Sequence, residues 1–136
     1  MIAVRYSGMQ DDFLLLGNYG CHFLVLCSIA EEFNNEQVDV LTALQLARNT
    51  HLIDDTCFVL DNCKLLEKLT HKKWTMRTVR ALPVVIADNE YTELVFHNKR
   101  TGCKHYRRRA VDTLRNSLTV KEGYILEYRI YTATDK

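Results

Sequence analysis

The amino-acid sequence changes its periodicity once, near Trp74, and this change constrains the fold more than any other feature. Before Trp74, apolar side chains recur at the i, i+3, i+4 and i+7 spacing of helices that bury one face. After it, short runs rich in β-branched and aromatic residues are separated by turn-forming residues, as in antiparallel strands. Helices followed by strands are typical of an α+β fold, so we predict a long helix packed on a curled sheet.

The pattern predicts three helices and four strands. The helices are predicted at Cys21–Phe33, about Gln37–Asn49 and Asp61–Leu69, and the strands at Trp74–Val79, Tyr91–His97, His105–Val111 and Tyr124–Tyr131. The first helix carries apolar residues round most of its circumference, which favours a central and largely buried position. The segment Asn98–Gly102 is typical of a hairpin connection between the second and third strands.

Length and composition indicate one globular domain. The chain has 136 residues, of which 47% are hydrophobic and 26% are charged, a balance that fits a single core spanning residues 1–136. Pro83 is the only proline, and no stretch has the composition of an interdomain linker. No apolar run reaches the ~20 residues of a membrane helix, and the N-terminus lacks the order of a secretory signal. We therefore expect a cytoplasmic protein.

The charges exclude a strong electrostatic preference for nucleic acid. Eighteen basic residues against seventeen acidic ones leave a formal net charge of +1, which steers the molecule to neither nucleic acid nor an anionic membrane. The densest basic stretch, Lys99–Arg109, is interpreted as the solvated face of a hairpin. The partner that we predict is a peptide or a protein.

Cysteine usage singles out Cys21. The chain has five cysteines without a CxxC pair, so neither a disulfide framework nor a closed zinc site is indicated, and no metal or cofactor is predicted. Cys27 and Cys57 lie in apolar stretches and are expected to be core residues. Cys21 follows Gly17 and Gly20 at the start of a predicted helix, where unpaired N–H groups and the helix dipole stabilise a thiolate.

A catalytic thiol needs a histidine to take and return the proton, and a polar group to orient that ring. His22 points about 100° away from Cys21 on the same helix, so it is a poor base. His105 is favoured because Asp112 follows at the end of the same predicted strand, and His97 across the hairpin is the alternative base. On a straight strand the odd separation of His105 and Asp112 puts them on opposite faces, so their contact requires a bulge or bend.

Several segments resemble one protein family. Asn18–Leu24 resembles the Gly-Cys-aromatic motif that opens the central helix of small phage- and plasmid-borne proteins related to papain-like and bacteriocin-processing peptidases. Further along, Lys104–Tyr106, Val111–Leu114 and Asn116–Ile125 resemble the His-aromatic strand, the Asp-containing turn and the closing hairpin of that group, which ends here in Tyr128–Tyr131. The resemblance extends over roughly half of the chain, with the motifs in the same order.

The resemblance implies a papain-like cysteine-peptidase fold and the activity of a cysteine peptidase or amidase. In that activity Cys21 is the nucleophile, His105 is the base and Asp112 orients the imidazole. The substrate would be a peptide or protein, in the host cytoplasm if the gene belongs to a phage.

One position departs from the family pattern and leaves an alternative open. Papain-like enzymes usually place an oxyanion-binding glutamine about six residues before the cysteine, where this chain has Leu15. Asn18 and Gln10 are the nearest upstream amides and are the candidate oxyanion donors. Because loss of such a donor typically costs ~10²–10³ in rate, the alternative is a catalytically inactive papain-like fold that binds a protein through its cleft or its basic hairpin.

Overall fold

The structure is a computed structural model that describes Asp12, Leu16 and residues 20–80, 87–99, 101–102, 104–108 and 123–134. Over the longer of these segments the chain forms three helices and then four strands, which confirms the α+β prediction. We label the elements α1 (Cys21–Asn34), α2 (Val40–Asn49), α3 (Asn62–Thr70), β1 (Trp74–Val79), β2 (Glu90–Asn98), β3 (Lys104–Arg108) and β4 (Gly123–Ala133). Within the described residues, each helix is too short or too polar to span a bilayer.

Side-chain caps determine where the second and third helices begin. The Asp39 carboxylate accepts hydrogen bonds from the N–H groups of Leu41 at 3.1 Å and Thr42 at 3.4 Å, so α2 begins at Val40 rather than near Gln37. Asp61 accepts in the same way from the Lys64 N–H at 3.0 Å, so α3 begins at Asn62, one residue after the predicted start. In both helices the carboxylate pairs with a backbone donor that the first turn leaves free.

The four strands form one antiparallel sheet in the order β1-β4-β2-β3. The register between β2 and β4 shifts between Val95 and Phe96, as at a bulge. Gly123, at the start of β4, is opposite Asn98, and a Cβ built there would lie 1.9 Å from the carbonyl oxygen of His97. Only glycine fits such a close approach of two backbones.

The first helix is the central element of the core. Its residues Phe23, Leu26 and Ile29 are fully buried, as predicted, and they belong to a cluster that continues through all three helices to Trp74 and Tyr131 of the sheet. α1 lies against α3, α2 and β3. Because one side of the sheet faces α1, residues of β2, β3 and β4 that point to this side meet the helix along its length.

Candidate functional site

Cys21 is the first residue of α1, and its side chain is half-buried. Gly20 precedes it at a close approach, since a Cβ at Gly20 would lie 2.7 Å from the Cα of Leu16. No hydrogen bond joins the Cys21 sulfur to any residue that the structure describes. Burial, and to a smaller extent Glu93 and Cys21, raises the pKa of the Tyr106 phenol in β3.

The other described thiols are poor nucleophiles. Burial, with smaller contributions from Cys57 and Glu31, raises the pKa of Cys27 to about 12. Burial also raises the pKa of Cys57 to about 11, and it raises the pKa of Cys63. Because the thiolate is the reactive form, these three groups are largely inert at neutral pH.

The position of His105 follows from the alternation of side chains along β3. Tyr106 contacts the His22 ring of α1, with the ring centroids 4.7 Å apart, and Arg108 bonds to Ser28 of the same helix. Side chains alternate between the two faces of a strand, so His105 points to the face away from α1. Its cross-strand neighbour is Phe96, and burial together with Arg107 lowers the pKa of its imidazole.

His97 lies on the helix side of the sheet, because it is paired with Lys104, which shares a face with Tyr106. The His97 ring packs on Tyr124, with the centroids 5.0 Å apart. In the described part of the chain, no imidazole is hydrogen-bonded to Cys21.

The remaining candidates are Asp112, Asn18 and Gln10, and they lie outside the described residues. The catalytic roles of Cys21 and His105, together with the roles of these three, stay predictions. The described ranges contain no group of three or more His, Cys, Asp or Glu side chains that could hold a metal ion.

The structure brings a different set of polar residues together beside Cys21. The His22 ring is hydrogen-bonded through Nδ1 to Oε2 of Glu93 and through Nε2 to Oδ1 of Asn62, the latter at 2.9 Å. The amide of Asn62 donates to the hydroxyl of Tyr131 at 3.1 Å, and that hydroxyl donates to Oε1 of Glu93 at 2.7 Å. These four side chains form a closed ring of hydrogen bonds, which we call the His22 network.

Both nitrogens of His22 face oxygen atoms, Nδ1 that of Glu93 and Nε2 that of Asn62, so the ring is held on both sides. Glu93 is fully buried and is also 3.6 Å from the guanidinium of Arg129. A guanidinium, a histidine ring and the Tyr131 phenol thus give this buried carboxylate the polar partners that its burial requires.

The His22 network lies beneath a cleft of about 360 Å³, which we call the His22 cleft. The polar side chains that line it are those of His22, Asp61, Asn62, Tyr106 and Arg129. Arg129 lies over the Tyr106 ring, 5.4 Å from its centroid. Three of its apolar side chains are unusually exposed: Phe58 is 60% exposed, Leu60 58% and Met76 40%. The cleft therefore combines an ordered polar floor with an apolar edge that faces solvent.

Sequence reasoning missed Glu93, Tyr131 and Arg129 as members of a site. One signal was present in the sequence: Glu93 is the charged residue in the otherwise uncharged run Thr92–Phe96. A carboxylate in a buried strand is rare unless it is paired.

Comparisons with models of protein families, with curated proteins and with solved structures give no match to this chain. The papain-like fold therefore stays a prediction from the sequence motifs, and the structure itself establishes the coarser class, α+β with a four-stranded antiparallel sheet.

Proposed function

We propose that this chain is a protein-binding module whose His22 cleft holds an apolar side chain of a partner protein. The observation that carries the proposal is the exposed apolar edge at an ordered cleft. Among the described residues there are six exposed large hydrophobic side chains, and three of them, Phe58, Leu60 and Met76, line this one cleft. Exposed apolar groups gathered at a concave site with polar residues beneath them are typical of interaction surfaces.

The chemistry of the cleft favours binding over hydrolysis. A general base needs a free ring nitrogen within reach of the proton that it accepts. Both nitrogens of His22 are already hydrogen-bonded, to Glu93 and Asn62, so the ring has none to offer. The His22 network instead fixes the side chains beneath a ligand, which lowers the entropy cost of binding.

Selection from a phage-displayed library of random twelve-residue peptides tests the proposal. We expect the immobilised protein to enrich peptides that share an apolar residue, and Leu60→Asp to weaken their binding at least tenfold. The expected loss corresponds to the ~1.5–3 kcal/mol gained when a leucine side chain is buried. Fluorescence anisotropy of the enriched peptides gives the dissociation constants.

Ile125→Asp is the matched control, because Ile125 is also an exposed apolar residue, 44% exposed, and does not line the cleft. It places the same charge on the surface and should change the dissociation constant less than twofold. The proposal is rejected if no peptide is enriched, or if the two variants weaken binding equally.

A second candidate function is a cysteine hydrolase with Cys21 as the nucleophile. One observation favours it: Cys21 is at the N-terminus of the central helix, while burial raises the pKa of the described thiols Cys27, Cys57 and Cys63. In this mechanism His105 or His97 would carry the proton and Asp112 would orient the ring.

Selective alkylation tests the hydrolase. With limiting iodoacetamide at about pH 6, Cys21 should be carboxamidomethylated at least tenfold faster than any other cysteine, as measured by mass spectrometry of tryptic peptides. Cys63, which is also half-buried, is the internal comparison. Equal labelling of Cys21 and Cys63 would argue against an activated thiol at the start of α1.

A further inference from the structure

β1 lies at one edge of the sheet, with β4 as its one partner strand among the residues that the structure describes. Its four consecutive residues Thr75–Thr78 are exposed. Successive side chains point to opposite faces of a strand, so this run leaves both faces of β1 accessible from solvent. An edge strand presents a row of backbone N–H and C=O groups to which another extended chain can pair.

The hydrogen bonds to β4 show which backbone groups of β1 point outward. The carbonyl of Lys73 accepts from the N–H of Thr134 at 2.9 Å, so these two residues form a hydrogen-bonded pair. Such pairs alternate along two antiparallel strands. The odd-numbered residues of β1 therefore bond to β4, whereas the N–H and C=O groups of Met76 and Thr78 point away from β4.

Met76 joins this edge to the His22 cleft. Its side chain lies on the helix side of the sheet, where its sulfur is 3.7 Å from Nδ2 of Asn62, and it lines the cleft beside Leu60. A residue that pairs with Met76 from a further antiparallel strand has its side chain on the same face. One partner residue is therefore able to bond to the Met76 backbone and to fill the cleft with its side chain.

The charges around β1 are basic. The nine residues centred on Met76 include four cations and no carboxylate. Two of the cations form ion pairs with glutamates elsewhere in the fold, whereas Lys72 and Arg80 are exposed and form no ion pair within the described residues. Each of these two is four residues from Met76, so acidic residues at the same distance along a paired strand would complement them.

We infer that β1 binds an extended segment of the partner protein, which adds to the edge of the sheet as a further antiparallel strand. An apolar residue of that segment lies opposite Met76 with its side chain in the His22 cleft, and acidic residues lie near Lys72 and Arg80. The inference rests on the proposed binding of an apolar side chain in that cleft, and it adds the backbone conformation and the charge of the partner.

Titration with a blocked nonapeptide, leucine at its centre, glutamate at both ends and threonine elsewhere, tests the inference. The readout is backbone amide hydrogen exchange in ¹⁵N–¹H correlation spectra. At saturation we expect exchange to slow about tenfold at Met76 and Thr78, whose N–H groups gain an acceptor, and to change less than about twofold at Thr75 and Arg77.

N-methylation of the peptide separates strand addition from binding of the side chain alone. A methyl group on the leucine nitrogen removes the hydrogen bond to the Met76 carbonyl and keeps the two strands apart, so the affinity should fall about tenfold. The matched control carries the methyl group on the next threonine, whose N–H points away from β1, and should bind within about twofold of the unmodified peptide.

The charge of the partner is tested on the protein. Lys72→Gln combined with Arg80→Gln should weaken binding of the nonapeptide about threefold, as expected for the loss of two exposed ion pairs. Lys99→Gln combined with Lys104→Gln makes the same change of net charge away from β1 and should leave the affinity unchanged.

The inference is overturned if the nonapeptide does not bind saturably, if exchange slows equally at all four residues or at none, if the two methylated peptides bind equally, or if the two double variants do. Leu60→Asp distinguishes this failure from failure of the proposed function. Should Leu60→Asp weaken the nonapeptide while the two methylated peptides bind equally, the cleft holds the side chain and strand addition alone is wrong.

Discussion

Replacing Glu93 by glutamine lowers the free energy of unfolding by about 3–5 kcal/mol, the usual cost of removing one partner from a buried ion pair. The carboxylate is completely buried and is the shared acceptor of His22, Tyr131 and Arg129. Without the carboxylate, the His22 ring and the Tyr131 hydroxyl lose the acceptor that they share, and of its ion pairs within the described residues Arg129 keeps the one with Glu127. A glutamine also turns a donor towards groups that donate themselves.

Urea denaturation at pH 7, followed by circular dichroism, measures this loss. Glu67→Gln is the matched control, because Glu67 is a partly exposed carboxylate paired with the exposed Lys64 and Lys73, and its replacement should hardly move the urea midpoint. A Glu93→Gln variant as stable as the control would mean that the Glu93 carboxylate does not stabilise the folded protein, and the central role given to it in the His22 network would be wrong.

The order of helices and strands could be predicted because the periodicity that encodes it is local. β1 has the bounds that the sequence indicated, Trp74–Val79, and α1 begins at the predicted residue, Cys21. Each boundary has a clear signal in the sequence. At β1 the polar residues give way to a run with β-branched residues, and at α1 a glycine precedes the first helical residue. The start of α2 was placed near Gln37 instead of Val40, since the sequence pattern alone did not reveal that Asp39 caps the helix.

The face on which His105 lies could not be predicted from the sequence. In a strand, a shift of one residue exchanges the two faces, and the choice depends on which neighbours the strand meets. Here Tyr106 and Arg108 meet α1, because the pairing of β3 with β2 puts Val95 opposite Tyr106. Local hydrophobicity carries little information about that choice when histidine, tyrosine and arginine alternate along the strand.

The His22 network depends on contacts between distant parts of the chain. It links His22 of α1 with Asn62 of α3, Glu93 of β2 and Tyr131 of β4. The pairing of β2 with β4 sets the distance between Glu93 and Tyr131. No sequence spacing records such an arrangement. The one signal in the sequence is that Glu93 is the charged residue in an otherwise uncharged run, and the structure supplies its partners.

The folded protein should also lose stability steeply above pH 9, because the thiol of Cys27 is buried. Its pKa is raised from 9.0 to about 12, so between these values the unfolded chain releases a proton that the folded chain retains. A raised pKa of this kind contributes stability that is fully present below pH 9 and is lost as the pH rises towards 12. At pH 11, two pH units above the pKa of the thiol in the unfolded chain, ionisation of Cys27 alone should lower the free energy of unfolding by about 2–3 kcal/mol.

Two further buried groups act in the same direction, since burial raises the pKa of the Cys57 thiol to about 11 and also raises the pKa of the Tyr131 phenol. The contribution of Cys27 is isolated by comparing urea denaturation of the wild type and of Cys27→Ala, each at pH 8 and at pH 11 under reducing conditions. The variant loses packing at both pH values, so the quantity compared is the change in the free energy of unfolding between pH 8 and pH 11. That change should be smaller in Cys27→Ala by about 2–3 kcal/mol. Equal changes in the two proteins would mean that the Cys27 thiol ionises in the folded state, which is incompatible with its place on the buried face of α1.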